Sequence, residues 1–415
     1  MQCSGLARGL PQSEHSKVRQ LRELKTVRIA CIHQGYELYG SDRCFVESVA
    51  AMRKAFPLAE IEVVLPRTGP IVALLQDKAD LVTIEPLWVL RRRSLPRLIL
   101  LGALQLPLAI TRAVHRLRNC DLVYVNTSVI VDYQIAARFF PGKVLLHVHE
   151  IPSGASKLIL RGLARWSAAE LIFNSRATQR AFAALGDGSG HVIYNGLAGP
   201  PAPETTNFDG SRPLRVLMLG RVNWMKGQEI LLQAIASQPD DVRARLTVRI
   251  VGGAFENPQR EKALAESVRR LRLSSNVSIE PFVADTSPLY RWADVVVVPS
   301  RLPESLGRVA IEAMAYGRPA IVSAIGGLTE VIADGQTGWF VAPGDASALA
   351  KRLRALIEEP SAWRGFGAAA RERFEALFSE SAASGAIASV VTHKLARSAP
   401  RRRSSYRPQL PATRS

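Results

Sequence analysis

Pro299–Gly317 reads PSRLPESLGRVAIEAMAYG and follows the apolar run Val295–Val298. A short apolar run, a Pro-Ser turn and then apolar residues at helical spacing predict a buried strand, a loop and a helix over 306–316. Glu304 stands just before that helix, and Glu312 lies on it, eight positions later. Eight residues are slightly over two helical turns, so Glu312 sits near the face that looks back toward Glu304. The helix N-terminus near Leu306 and Gly307 offers free backbone N–H groups and a positive dipole end, which suit a phosphate. Gly307 lets a ligand approach the backbone closely. A carboxylate can accept hydrogen bonds from two sugar or ribose hydroxyls. On spacing alone, a Glu304 that only caps the helix and a solvated Glu312 fit as well.

The same alternation extends outward in both directions. Strands are predicted at 215–219, 247–251, 277–279, 294–298 and 320–323, with helices at 227–237, 258–272, 306–316 and 346–358. Upstream, strands are predicted at 27–32, 61–65, 122–125, 143–148, 171–173 and 191–194, with a helix over 43–55. Strands that alternate with helices predict an α/β protein with parallel sheets. The Pro- and Gly-rich stretch 197–213 reads as a linker between two such series. The expected organisation is a mobile leader over 1–25, an N-terminal domain over 26–205 and a C-terminal domain over 206–375. A helical segment over 376–395 folds back on the first domain, and a basic tail over 396–415 is disordered.

Three further segments carry candidate chemistry. Leu219–Gly227, LGRVNWMKG, follows a strand and puts Arg221 and Lys226 at its carboxyl end, where open α/β sheets bind ligands. Two cations there can neutralise a diphosphate, or can simply be solvated in a loop. Leu145–Pro152, LLHVHEIP, places His147 and His149 on one strand face. No other His or Cys cluster completes a metal site. His149, at the strand end, reads either as a polar group facing a cleft or as a hydrogen-bonded core histidine. The loop HQGYELYGSDR after the first strand is neither GxGxxG nor a Walker loop, although Gly40 permits close backbone approach. Gly326-Gly327 precedes a helical turn that carries Glu330, readable as structural. Asp334-Gly335 and Gly338 read as a turn into a strand.

With 415 residues, 47% hydrophobic and 22% charged, the chain is neither wholly disordered nor a multi-span membrane protein. Its net charge of +18 is uneven. Residues 86–120 carry +7, 396–415 carry +6 and 1–25 carry +3, which leaves the body nearly neutral. That distribution, with no helix-turn-helix, RRM or zinc motif, argues against nucleic acid as a partner. Basic attachments instead fit an anionic membrane surface, with 87–118 as the expected contact, or two packed helices with solvated arginines. Four cysteines without CxxC spacing fit a reducing compartment. Residues 1–26 lack the apolar region of a signal peptide.

In their order, these segments resemble the family-4 retaining glycosyltransferases of the two-Rossmann GT-B architecture. The resemblance runs from about Val27 to Ala350 and rests on GRVNWMKG at 220–227, IVGG at 250–253, ADVVVVPS at 293–300 and ESLGRVAIEAMAYG from Glu304. FNS at 173–175, YNG at 194–196 and HE at 149–150 add to it. Leu306 stands where the family usually has an aromatic, and Tyr39-Gly40-Ser41 where many relatives have paired glycines.

The resemblance implies two Rossmann-like domains facing across a cleft, and a nucleotide-diphosphate-sugar donor. Arg221 and Lys226 would hold the diphosphate with the N–H groups near Leu306 and Gly307. Glu304 would contact the donor sugar, Glu312 the ribose, His149 the reaction centre and Gly40 the phosphates. The implied enzyme transfers a sugar with retention to a glycan or lipid-linked acceptor, without a metal or other cofactor. Its implied setting is the cytoplasmic side of the envelope, peripheral on the inner face of the plasma membrane. A nucleotide-sugar epimerase on the same architecture and a basic nucleic-acid-binding protein are the competing readings.

Overall fold

The computed structural model describes residues 27–36, 40–90, 102–183, 190–202, 208–254 and 257–398. The expected leader 1–25, Tyr39, the arginines at 91–93 and 97, and the tail from 399 lie outside the described residues.

The first domain runs β1 (Arg28–Ile32), α1 (Gly40–Ala55), β2 (Glu60–Leu65), β3 (Leu81–Ile84), α2 (Gly102–Asn119), β4 (Leu122–Val125), α3 (Val131–Ala137), β5 (Val144–Val148), α4 (Ala155–Trp166), β6 (Glu170–Phe173), α5 (Arg176–Ala183) and β7 (His191–Val192). The second begins β8 (Leu214–Leu219), α6 (Gln228–Ala236), α7 (Asp240–Ala244), β9 (Leu246–Val251), α8 (Pro258–Arg270), β10 (Val277–Glu280) and α9 (Ser287–Trp292). It continues β11 (Val295–Val298), α10 (Arg308–Ala315), β12 (Ala320–Ser323), α11 (Leu328–Val331), β13 (Gly338–Val341), α12 (Ala346–Glu358) and α13 (Phe366–Leu377), and α14 (Glu380–Ser398) closes the chain.

Two parallel sheets result, ordered β3-β2-β1-β4-β5-β6-β7 and β10-β9-β8-β11-β12-β13. Strand order reverses between β1 and β4 in one and between β8 and β11 in the other. Those switch points are where doubly wound sheets open a ligand crevice at the strands' carboxyl ends. Each sheet is covered on both faces, which is why its strands read as continuous apolar runs. Along β11, Val295 and Val297 enter one core, and Val296 and Val298 enter the core on the other face. The protein is a two-domain α/β fold with two Rossmann-like domains.

The sequence reading missed β3, a short edge strand with Leu81 and Ile84 exposed. The expected division at 375/376 lies close to a break between two helices. The chain breaks at Phe378-Ser379, where Leu197 N–H donates to Phe378 O (2.9 Å) and Glu380 N–H donates to Leu197 O (3.0 Å). This strap lets α13 finish the second domain, with Ala370 and Phe374 in its core. The helix α14 returns to the first domain, where Ile387, Val390, Val391 and Leu395 pack from a single face. Lys394 Nζ meets Glu170 Oε2 at 2.5 Å on β6. The helix runs to Ser398, past the expected start of the tail at 396.

Glu330 holds the domains together from α11. Its carboxylate accepts from Arg176 N (2.8 Å) and Ala177 N (2.6 Å), the first amides of α5, and from Tyr194 OH (3.1 Å). A carboxylate on helix amides satisfies orphan donors and favours the dipole.

In the expected membrane segment 87–118, Arg116 is engaged internally. It forms ion pairs with Glu62 (2.9 Å) and Glu85 (2.6 Å), and bonds Tyr133 OH. The segment itself carries no acid, but the fold brings two to it.

Replacing Glu330 by Ala frees two amides of α5 and removes a cross-domain contact. The expected result is a loss of about 1–2 kcal/mol, the usual cost of a lost helix cap, read as a lower urea midpoint at unchanged m-value.

Candidate functional site

A cleft of about 480 Å³ opens between the domains. The first domain contributes Gly40 and Arg43 to it. The second contributes the loops after β8, β9 and β10, together with Glu304 and the first turns of α10. All these loops leave carboxyl ends of strands. Of the residues singled out in the sequence, Gly40, Arg221, Lys226, Glu304 and Glu312 line this space together. His149, Leu306 and Gly307 are not among its lining residues.

Glu304 and Lys226 meet directly, Oε1 to Nζ at 2.8 Å, and Ser300 Oγ also donates to the same carboxylate oxygen. The Lys226 loop is a short 3-10 turn. Asn223 caps it by accepting from Lys226 N–H (3.0 Å). The Glu304 loop is built on glycine contacts. Gly307 sits at φ +103°, and a Cβ there would lie 2.4 Å from Leu328 Cδ2. A Cβ on Gly326, at φ +60°, would lie 2.5 Å from Glu304 O, and Gly327 N–H donates to that same oxygen (2.8 Å). The Gly326-Gly327 pair therefore packs backbone on backbone to set where Glu304 stands. The helix begins at Arg308 rather than 306, because Gly307 takes the left-handed conformation at its cap. Leu306 is buried in the core.

Glu312 accepts from Tyr290 OH (2.7 Å) and from Arg308 Nε (2.8 Å). Burial, and then Glu312 beside it, push the Tyr290 hydroxyl pKa well above its ordinary value. Arg308 also crosses the cleft. Its guanidinium reaches Glu47 Oε1 at 3.3 Å and Cys44 Sγ at 3.3 Å, both on α1. A Cβ on Gly40 would lie 3.3 Å from Arg308 Cδ, so the first turn of α1 and the first turn of α10 approach closely. Burial raises the Glu47 pKa to about 7, and Arg308 only partly offsets it.

On the first domain, His149 Nε2 lies 2.8 Å from Asn126 Oδ1, and its ring lies 4.0 Å from that of His147, tilted by 39°. Burial, with His147 and His33 nearby, holds the His149 pKa well below its ordinary value. Glu150 accepts from Ser128 Oγ (3.0 Å) and from Thr127 Oγ1, so it fastens the loop after β4. FNS and YNG face the other domain, Asn174 through Ser305 Oγ (3.3 Å) and Tyr194 through Glu330. No group of three or more metal-ligating side chains occurs among the described residues.

The sequence reading did not single out Arg308, Arg43, Glu47, Asn126 or Asp42. Arg308 had a signal, since it stands four residues before Glu312 on the same helix, the spacing of a surface ion pair. The others gain their place from partners far along the chain.

The architecture and the cleft define a class, the two-domain α/β proteins with facing Rossmann-like domains. Residues 206–373 match the family model of the glycosyl transferases group 1. A D-inositol 3-phosphate glycosyltransferase 2 of Catenulispora acidiphila is 35% identical over 192 residues, 43% of this chain and 43% of the relative. A D-inositol 3-phosphate glycosyltransferase of Nocardiopsis dassonvillei is 38% identical over 158 residues, 36% of each chain. The chain thus spans less than half the length of these curated relatives. Over nearly its whole length the fold is similar to the crystal structure of Anabaena Alr3699/HepE in complex with UDP and glucose. There the TM-score is 0.72 and the identity 25%, covering 88% of this chain and 99% of that one.

Because Glu47 holds its proton to about pH 7 when folded and releases it near 4.5 when unfolded, it favours the native state at low pH. That contribution is lost as pH rises from about 4.5 to about 7. Urea midpoints measured from pH 5 to 8 should fall less steeply for Glu47→Gln than for the natural chain.

Proposed function

We propose that the protein is a retaining, metal-independent glycosyltransferase. It moves a sugar from a nucleotide-diphosphate-sugar to a glycan or lipid-linked acceptor in cell-envelope or exopolysaccharide synthesis. The observation that carries this reading is the convergence of Arg221 and Lys226 with Glu304 and Glu312 in one interdomain cleft. The similarity of residues 206–373 to group 1 glycosyl transferases supports it, and the UDP held by the Anabaena neighbour favours a UDP-sugar donor. The same similarities favour transfer over epimerisation.

In this mechanism the anomeric C–O bond breaks and negative charge develops on the departing diphosphate. Arg221 and Lys226 stabilise that charge where it forms, with the backbone amides at the start of α10. A donor phosphate competes with Glu304 for Lys226, so diphosphate binding and the placement of Glu304 are coupled. Tyr290 and Arg308 hold Glu312 for the ribose hydroxyls. The acceptor attacks from the leaving-group face and the diphosphate takes its proton, which gives retention. Closure of the two domains excludes water and limits hydrolysis.

An anionic membrane surface is part of this reading. No helix among the described residues is long and apolar enough to cross a bilayer. On α4, Leu158, Ile159 and Trp166 are 67%, 53% and 48% exposed on the face opposite Leu160 and Ala164, which pack into the core. Lys157 and Arg165 flank them, and no acid occurs between 151 and 169. An apolar stripe with Trp and basic neighbours suits the headgroup region.

Thermal-shift measurements across nucleoside diphosphates test the donor site. One nucleotide should raise Tm in a manner insensitive to EDTA, and Arg221→Ala or Lys226→Ala should abolish the shift. At a hundredfold excess over Kd, the expected stabilisation is about 2.7 kcal/mol. No shift with any nucleotide would remove the donor assignment. Sedimentation with anionic but not neutral liposomes at low salt, lost in Leu158→Glu with Ile159→Glu, tests the surface.

A further inference from the structure

The strands β1, β4 and β5 are neighbours at the switch point of the first sheet, and each is followed by a polar residue at its carboxyl end. These are His33, Asn126 and His149. Pairing of Ile32 with Val125 and of Val125 with Leu146 sets the three ends side by side. Asp42, buried on the first turn of α1, completes the row. Its Oδ1 lies 2.8 Å from His33 Nε2, Asn126 Nδ2 lies 3.1 Å from His33 Nδ1, and Asn126 Oδ1 lies 2.8 Å from His149 Nε2. His33 is 1% exposed and stacked on Phe45 at 4.5 Å, and Asn126 is 1% exposed. His33 and Asn126 are thereby closed to exchange with water, whereas His149 is partly exposed.

The row has a direction. A carboxylate can only accept, so His33 donates from Nε2. A neutral His33 then accepts at Nδ1, which calls for the Asn126 amide N–H. That orientation turns Asn126 Oδ1 toward His149, whose Nε2 must donate. His149 Nδ1, with no hydrogen-bond partner among the described residues, remains an acceptor.

We propose that Asp42, His33 and Asn126 are positioning residues that lock His149 in the Nε2-protonated tautomer, so that Nδ1 accepts a hydrogen bond from a substrate hydroxyl. This rests on the reading of His149 as a residue of the reaction centre. The depressed pKa of His149 keeps the ring neutral and so preserves the acceptor. A doubly protonated His33 would reverse the row, because Asn126 would turn its oxygen to His33 and its amide to His149, leaving Nδ1 as the donor.

Selective 15N-histidine labelling of the full chain, with long-range 1H–15N correlation at pH 7.5, reads the tautomers directly. His33→Gln and His149→Gln assign the signals. The expected pattern is Nε2–H and bare Nδ1 for both rings. In Asn126→Asp, His149 keeps its tautomer while His33 becomes doubly protonated, facing a carboxylate at each nitrogen. In Asp42→Asn the acceptor-only anchor is gone and His149 gains an Nδ1–H population. Loss of a correct tautomer lowers turnover by about tenfold or more with donor KM within about twofold.

An Nδ1–H His149 or a doubly protonated His33 in the natural chain overturns the proposal. So does an Asp42→Asn variant with unchanged His149 shifts and kcat. A purely structural role would lower Tm without altering the tautomer. If the natural chain neither binds nucleotides nor transfers sugar, the functional reading falls, while the tautomer assignment is still decided by the spectra.

Discussion

The half-buried Arg308 guanidinium sets the terms for the cleft, because a cation partly withdrawn from water needs groups that accept from it. One partner, Glu312, is four residues along the same helix, and the other two, Glu47 and Cys44, belong to the opposite domain. A single side chain thus orients the Glu312 carboxylate in the cleft and ties α10 to α1. The close approach at Gly40 follows from the same contact, since a side chain there would press on the Arg308 stem. Glu330 supplies a second tie on the far side of the interface, through the first amides of α5. Asn174 with Ser305 and the Leu197–Phe378 strap add further ties between the domains.

The two sheets were legible because a strand buried on both faces has to be apolar along its length, and Val295–Val298 or Leu214–Leu219 offers no other reading. Edge strand β3 escaped for the complementary reason: half-exposed, it carries neither a long apolar run nor a strict alternation. The lining of the cleft was legible where one loop carries its own chemistry, as in Arg221 with Lys226 or Glu304 with Glu312. It was not legible where the chemistry depends on residues brought from far away. Arg116 reads as one of seven arginines in an acid-free segment, yet its function is set by Glu62 and Glu85. The Gly326-Gly327 pair likewise reads as a turn, and only the fold shows it pressed against the backbone of Glu304.

The ends of the two sheets differ in chemistry. The second domain places cations and carboxylates in partly exposed loops, where a charged ligand can replace one ion pair by another, as Lys226 and Glu304 illustrate. The first domain places polar groups in a largely buried row at the ends of β1, β4 and β5. There the burial that holds the His149 pKa below its ordinary value also makes each hydrogen bond directional and costly to leave unmade.

That difference constrains which side of the cleft can do which part of a group transfer. A row of two imidazoles and one amide, ending on the Asp42 carboxylate, is not suited to offset the two or more charges of a diphosphate. It can discriminate hydroxyl positions, because an acceptor nitrogen with a fixed tautomer rewards a donor in one place and penalises its absence. The loops of Arg221 and Lys226 have the opposite properties: ample charge, adaptable geometry and little positional selectivity. Under the proposed reading, the charged half stabilises the leaving group and the neutral half selects and orients the sugar. Arg308, which belongs to both halves, then makes binding at one side felt at the other, because any change at Glu312 alters the charge that Glu47 and α1 must answer.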